Sequence, residues 1–157
     1  TESNGATVTS VRFSLLRSTK FPDPEADLGT HSMKFKIRPA ATIEDAVSLG
    51  YELNYPAREV QGNRPVEPLV SSSAAQVVVE TVKLAEDGSG DLIVRLYEST
   101  GGRADSRIAF AGVAEKIWLT DFLELPTSAE QVAGGSIDLQ FRPFQVITLR
   151  ISGLQID

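Results

Sequence analysis

The fold is decided by the stretch Gln76–Glu98, QVVVETVKLAEDGSGDLIVRLYE. Two runs of mostly apolar residues, 76–85 and 91–98, flank the segment Asp87-Gly88-Ser89-Gly90. Aspartate and glycine in such a short connection favour a tight turn between antiparallel strands. The stretch therefore predicts a β-hairpin. It does not predict a dinucleotide site, because no helix follows the glycines to bind a pyrophosphate.

Further strand-like runs continue to the end of the sequence, at 108–113, 116–125, 136–142 and 144–152. Glycine pairs precede two of these runs, and Pro143 divides the last two. Only residues 42–53 have the apolar period of a helix, with Thr42 as N-cap and Asp45 three residues later. Roughly seven to nine strands with one helix predict a mainly all-β fold, an antiparallel β-sandwich with one short helix.

The first third of the sequence is less regular. Residues 1–10 are small and polar and predict a flexible N-terminal segment, followed by a single β-sandwich domain over 11–157. Apolar and polar residues alternate over 11–16 and again over 32–38, which predicts two strands. Between them, residues 18–30 contain two prolines and a glycine, so we expect a surface loop there. Prolines also predict an irregular course over 54–68.

Composition excludes several classes of function. The 157 residues fit one ordinary domain, and they include no cysteine and one histidine, His31. Disulfides, thiol catalysis and any site that needs two imidazoles are therefore excluded. A net charge of -6 disfavours nucleic acid and anionic lipid, and no apolar run approaches the roughly 20 residues that cross a bilayer. The lack of cysteine leaves the compartment open, and the cytoplasm is our expectation.

The segment around the predicted loop concentrates charged and polar groups. They are Arg17, Lys20, Asp23, Glu25, Asp27 and His31. A guanidinium and carboxylates held at a strand end can bind sugar hydroxyls, whereas the alternative is an ion-pair network that only holds the loop. The acidic run from Asp23 lacks the spacing of a calcium loop, so no metal site is predicted. Tyr97 and Trp118 are either stacking platforms for a sugar or core residues.

Four segments carry a resemblance to a known family. Ser14–His31, SLLRSTKFPDPEADLGTH, closely resembles a segment near the C-terminal end of α-mannosidases of glycoside hydrolase family 38. Weaker similarities follow in the family's order at Tyr51–Pro56, at Arg95–Glu98 with Gly101, and at Phe141–Arg150. The sequence departs from the family's usual residues at four positions: Met33, Phe35, Ala40 and Gln145.

The resemblance implies a function for a larger protein of which this chain is one part. Its parent is expected to be a retaining α-mannosidase that cleaves mannose-containing oligosaccharides with two carboxyl groups and a zinc ion. The resemblance implies that the nucleophile and the zinc belong to the N-terminal catalytic domain of such enzymes. The composition agrees, since one histidine cannot supply the family's zinc site of two histidines and two aspartates. We therefore expect no catalytic residue, metal or cofactor in this chain.

The same resemblance implies partners and a site. The expected partners are the catalytic domain of the same polypeptide and the mannose-containing oligosaccharide, with neither nucleic acid nor membrane. Arg17 is the expected substrate-binding residue, and Asp27 and His31 are expected to orient it. The alternative function is a self-sufficient carbohydrate-binding β-sandwich module.

Overall fold

A computed structural model describes residues 10–128 and 131–156 of the chain. The chain divides into two compact units, Thr1–Ile37 and Arg38–Asp157. The predicted flexible segment 1–10 lies, except for its last residue, outside the described residues.

In the second unit, the described residues form seven antiparallel strands. They are β1 (Val70–Ser72), β2 (Val77–Leu84), β3 (Leu92–Glu98), β4 (Ala104–Thr120), β5 (Gln131–Phe141), β6 (Val146–Ser152) and β7 (Gln155–Ile156). The sheet order is β1-β4-β6-β3-β2, and β5 and β7 both pair with β4. With one short helix beside a nearly barrel-like sandwich, the predicted fold class is confirmed.

The predicted hairpin is confirmed as β2 and β3. Its turn places Gly88 and Gly90 at positive φ angles of 73° and 87°, which glycine adopts without strain. Arg150 of β6 donates through Nε to Asp91 at 2.6 Å and through Nη2 to Asp87 at 2.7 Å. The guanidinium therefore attaches the turn to the neighbouring strand.

Alternating residues of the strands form one hydrophobic core. Its most deeply buried members come from β3, β4 and β6 and are at most 1% exposed: Val94, Leu96, Ile108, Ala114, Ile117, Leu149 and Ile151. Because neighbouring residues of a strand point to opposite faces, this alternation fixes the register of each strand. The pairs Val94↔Leu149 and Leu119↔Leu149 show that the strands meet with their apolar positions aligned.

The prediction of two strands at 108–113 and 116–125 was wrong, because β4 is continuous from Ala104 to Thr120. Its register against β5 shifts between Ala109 and Ala114. On its other side, the first half of β4 pairs with β1 and the second half with β6. Gly112 permits this path, since a Cβ atom there would lie 1.9 Å from the carbonyl oxygen of Gln155 in β7. The predicted interruption between residues 113 and 116 therefore lies within one strand, close to an irregularity in its pairing with β5.

The end of β4 and the start of β5 also differ from the prediction. Asp121 ends β4, because its carboxylate accepts the backbone N–H groups of Leu123 and Leu125 at 2.9 and 3.0 Å. Residues 121–125 therefore form a turn rather than the last part of a strand. The Gly134–Gly135 pair lies inside β5 instead of before it.

The one helix among the described residues, α1, runs from Ile43 to Asn54 and confirms the prediction of 42–53 within one residue at each end. Thr42 and Asp45 form a reciprocal capping box: the Asp45 N–H donates to the Thr42 hydroxyl, and the Thr42 N–H to the Asp45 carboxylate. This hydrogen bond from the Thr42 backbone keeps the pKa of Asp45 below its usual range. The helix of 12 residues is too short to cross a membrane.

The described part of the first unit, residues 10–37, contains neither helix nor strand. The two predicted strands at 11–16 and 32–38 were therefore wrong. Phe13 and Phe35 stack with ring centroids 5.8 Å apart and planes 6° apart, yet about half of each side chain stays exposed. An alternating pattern is stabilised as a strand only when its apolar face is buried and its backbone finds a partner.

Candidate functional site

The loop of the first unit closes on itself through hydrogen bonds. The backbone N–H of Ser18 donates to the carboxylate of Asp27 at 2.6 Å, which joins the two ends of the loop. His31 Nε2 lies 3.0 Å from the carbonyl oxygen of Asp27 and donates to it. Within the loop, the Glu25 N–H donates to Asp23 Oδ1 at 2.9 Å. The structure therefore brings Asp27 and His31 together.

Arg17 lies immediately before this closure and is exposed. Its guanidinium makes no hydrogen bond or ion pair with any residue in the described parts of the chain. Ser18 follows at a positive φ of 51° and is held by Asp27. Asp27 thus fixes the backbone next to Arg17 and does not touch its side chain. No ion pair joins the charged residues of 17–31 in the described structure, so hydrogen bonds to the backbone hold this loop.

A second constellation, which the sequence did not predict, surrounds Glu98 at the end of β3. Glu98 is fully buried, and its carboxylate accepts the N–H groups of Thr100, Gly101 and Phe144 at 2.9, 2.8 and 3.0 Å. The Thr100 hydroxyl donates to the same carboxylate. Burial alone would raise the pKa of Glu98, but these donors outweigh it and lower the pKa to about 2. We call these four residues the Glu98 cluster.

The Glu98 cluster is structural rather than catalytic. All four donors belong to the chain itself, and they connect the end of β3 to the turn before β6. A carboxylate so fully satisfied does not exchange protons near neutral pH. A signal for it existed in the sequence: a glutamate ends the apolar run of β3 and Gly101-Gly102 follows.

Three of the four segments that carry the family resemblance meet in space. Phe144 in the last segment donates to Glu98, and the Tyr97 hydroxyl lies 3.3 Å from the Tyr51 hydroxyl of the helix segment. Burial and this hydrogen bond raise the pKa of Tyr51, so its hydroxyl stays neutral. Tyr97 is half-buried beside the helix, and Trp118 is half-buried in β4 with Lys116 Nζ 6.0 Å from its ring centroid.

The described residues do not fit a metal ion. No group of three or more histidine, aspartate or glutamate side chains in them lies close enough to hold one. The zinc that the resemblance implies therefore has no ligand set within the described part of this chain.

Comparison with known protein families gives a match to the strand region of the second unit. Residues 76–149, which include the hairpin and the Glu98 cluster, match the family of "Glycosyl hydrolases family 38 C-terminal beta sandwich domain". The chain belongs to this family. The family 38 chain is 33% identical over 147 residues to "Alpha-mannosidase 2C1" of Homo sapiens, covering 87% of this chain and 14% of that protein.

Two further relatives carry similar names. The family 38 chain is 29% identical over 170 residues to "Alpha-mannosidase" of Saccharomyces cerevisiae, covering 90% of this chain and 16% of that protein. It is 33% identical over 102 residues to "Alpha-mannosidase G" of Dictyostelium discoideum, covering 59% of this chain and 9% of that protein. The chain thus spans a small fraction of the length of each relative.

Proposed function

We propose that this chain is the C-terminal β-sandwich part of a retaining, zinc-dependent α-mannosidase that hydrolyses α-mannosides and oligomannose glycans. The observation that carries the proposal is the similarity to two α-mannosidases over 87% and 90% of the chain, where it corresponds to only 14% and 16% of their lengths. In this proposal the nucleophile, the acid/base carboxyl group and the zinc ligands lie in the remaining part. The chain alone does not hydrolyse mannosides.

The apolar surface of the first unit supports packing against a catalytic domain. Large apolar side chains there are at least two-fifths exposed: Val11, Phe13, Leu15, Leu16, Phe21, Leu28, Met33, Phe35 and Ile37. Two of these side chains, Phe13 and Phe35, stack on each other. Large exposed apolar patches on soluble proteins usually bind another protein surface. In the whole enzyme, the catalytic domain would then cover the alternating apolar residues of 11–16 and 32–38, which this chain leaves exposed.

Arg17 is the residue we propose to reach the sugar. Its guanidinium has no partner among the described residues, and the hydrogen bond from Ser18 to Asp27 fixes the backbone beside it. A guanidinium offers five N–H donors, which suits adjacent sugar hydroxyls. Asp27 and His31 act as positioning residues through the closure of the loop.

The test uses the full-length enzyme with an Arg17→Ala substitution. A hydrogen bond from a charged donor contributes about 1.5–3 kcal/mol, so kcat/KM should fall by about 10- to 100-fold. Zinc content and thermal unfolding should stay unchanged, because Arg17 is exposed and makes no contact that the fold needs. Arg12→Ala is the matched control, since Arg12 is an exposed arginine of the same segment. Unchanged kinetics for Arg17→Ala would retire its role in the sugar pocket.

A further inference from the structure

An open groove of about 1080 Å³ lies between α1 and the sheet within the second unit. One wall is the helix, where Ala46 and Gly50 leave space because their side chains are small or absent. The other wall is the edge strand β2 over residues 79–82, together with Tyr97 of β3. This volume is slightly above the range of about 300–1,000 Å³ found for small-molecule sites.

Aromatic rings dominate one side of the groove. Tyr51 and Tyr55 stack with ring centroids 6.0 Å apart and planes 28° apart, and the Tyr51 hydroxyl contacts that of Tyr97 at 3.3 Å. Tyr55 is 76% exposed, so the face of its ring that does not stack on Tyr51 is available to a ligand. Tyrosine presents both an apolar face and a polar end, a combination that suits a ligand with both C–H and hydroxyl surfaces.

Acceptors lie opposite these rings and beside them. The Asn54 amide nitrogen donates to the Gly50 carbonyl at 2.8 Å, which leaves Oδ1 without a partner among the described residues. Glu80 is exposed and accepts the hydroxyl of Thr81. No lysine or arginine occurs among the described residues that line the groove. Phosphate and other anionic ligands are therefore disfavoured, and a neutral ligand rich in hydroxyl donors is favoured.

A β-bulge places Glu80 at this position. Val79 pairs with Leu96 and Thr81 with Arg95, so Glu80 is the extra residue with no opposite partner on β3. Bulges redirect a side chain relative to the regular alternation of a strand. The β-bulge therefore determines the position of Glu80, which is the one charged side chain among the described lining residues.

We propose that the groove between α1 and β2 binds a neutral saccharide, with the ring of Tyr55 against a pyranose and Glu80 and Asn54 accepting its hydroxyl groups. This inference deepens the proposed function and rests on it only for the choice of a mannose-containing ligand. It assigns a binding site to the second unit, whereas Arg17 belongs to the first unit. Saccharide binding here is also the activity that a carbohydrate-binding module would have.

The test is a titration of the chain with α-1,2-linked mannobiose, followed by two-dimensional amide NMR. We expect saturable shifts at the amides of 46–55, 79–82 and 97, with a dissociation constant on the order of 1 mM. Tyr55→Ala removes the proposed ring contact, and Glu80→Gln replaces a charged acceptor with a neutral, weaker one, so each should weaken binding at least about five-fold. Glu67→Gln is the control, since Glu67 is an exposed glutamate that does not line the groove.

Several results would overturn the proposal. They are shifts that do not saturate, shifts of equal size outside the groove, wild-type affinity in both Tyr55→Ala and Glu80→Gln, or tighter binding of inorganic phosphate than of mannobiose. The NMR spectra themselves report whether each variant is folded. Failure here leaves the kinetics of Arg17→Ala as an independent test of the proposed function, because Arg17 does not belong to the unit that forms the groove.

Discussion

Removal of the buried charge in the Glu98 cluster should destabilise the fold in a pH-dependent way. Four donors converge on this carboxylate, three of them backbone N–H groups at 2.8–3.0 Å. Glu98→Gln keeps the shape of the side chain, but one oxygen acceptor becomes an NH₂ donor that faces other donors. Buried donors left without an acceptor cost about 1–3 kcal/mol each, so a loss of about 2–4 kcal/mol is expected at pH 7.

The pKa of Glu98 gives the sign and size of the pH dependence. The folded-state pKa of about 2 lies below the ordinary value of 4.5, so the charged form is favoured by folding. The corresponding stability is complete above pH 4.5 and is lost as the pH falls towards 2. A difference of 2.5 units amounts to about 3 kcal/mol. About 2 kcal/mol of this is lost by pH 3.

Urea unfolding between pH 3 and pH 7 would measure this contribution, with the fluorescence of the single tryptophan, Trp118, as the signal. The gap in unfolding free energy between wild type and Glu98→Gln should be largest at pH 7 and should narrow by about 2 kcal/mol at pH 3. Glu67→Gln, at an exposed position, should match wild type throughout. A gap that is absent at pH 7, or that stays constant with pH, would refute the role assigned to the cluster.

Two further substitutions test the placement of the core and the close approach of Gly112 in β4 to β7. Leu149→Ala removes a fully buried side chain and should lower the free energy of unfolding in urea by about 2–5 kcal/mol. Leu84→Ala, at a 67% exposed position, should lower it by less than about 1 kcal/mol. Equal losses in the two variants would contradict the placement of the core. Gly112→Ala would place a Cβ atom 1.9 Å from the carbonyl oxygen of Gln155, so the free energy of unfolding should fall by about 1–3 kcal/mol. Amide hydrogen exchange in β7 should also become faster. Gly134→Ala, whose nearest atom is 3.7 Å away, should be close to neutral, and a neutral Gly112→Ala would disprove the close approach.

The elements predicted correctly are those whose signals are local. Turn glycines with β-branched flanks specify the hairpin, and Thr42 with Asp45 specifies the start of α1, because each signal acts within a few residues. The continuity of β4 was missed because it depends on distant partners. The sequence places an interruption between the runs 108–113 and 116–125, and only the pairing of β4 with β1, β5 and β6 shows that the strand is continuous.

The candidate sites also differ in whether they depend on local sequence or on contacts between distant residues. The sequence could place Asp27 and His31 on one loop with Arg17, since all three lie within 15 residues. The hydrogen bond between Asp27 and Ser18 depends on the closure of that loop, which no periodicity predicts. The Glu98 cluster and the groove join residues separated by 46 positions in the chain, Glu98 with Phe144 and Tyr51 with Tyr97. Such sites follow from the sheet topology and could not be read from spacing.

The failed strand predictions at 11–16 and 32–38 are themselves informative about function. Their alternation is as regular as that of β3, yet β3 lies between two paired strands, whereas residues 10–37 have no strand partner in the described structure. Exposed apolar residues such as Val11 at 71% and Ile37 at 74% add nothing to the stability of a chain that leaves them in water. They would contribute to stability where another surface covers them, which is the role proposed for the catalytic domain. The strand predictions were wrong for this chain, and we propose that the alternating pattern reflects a docked partner that covers its apolar residues.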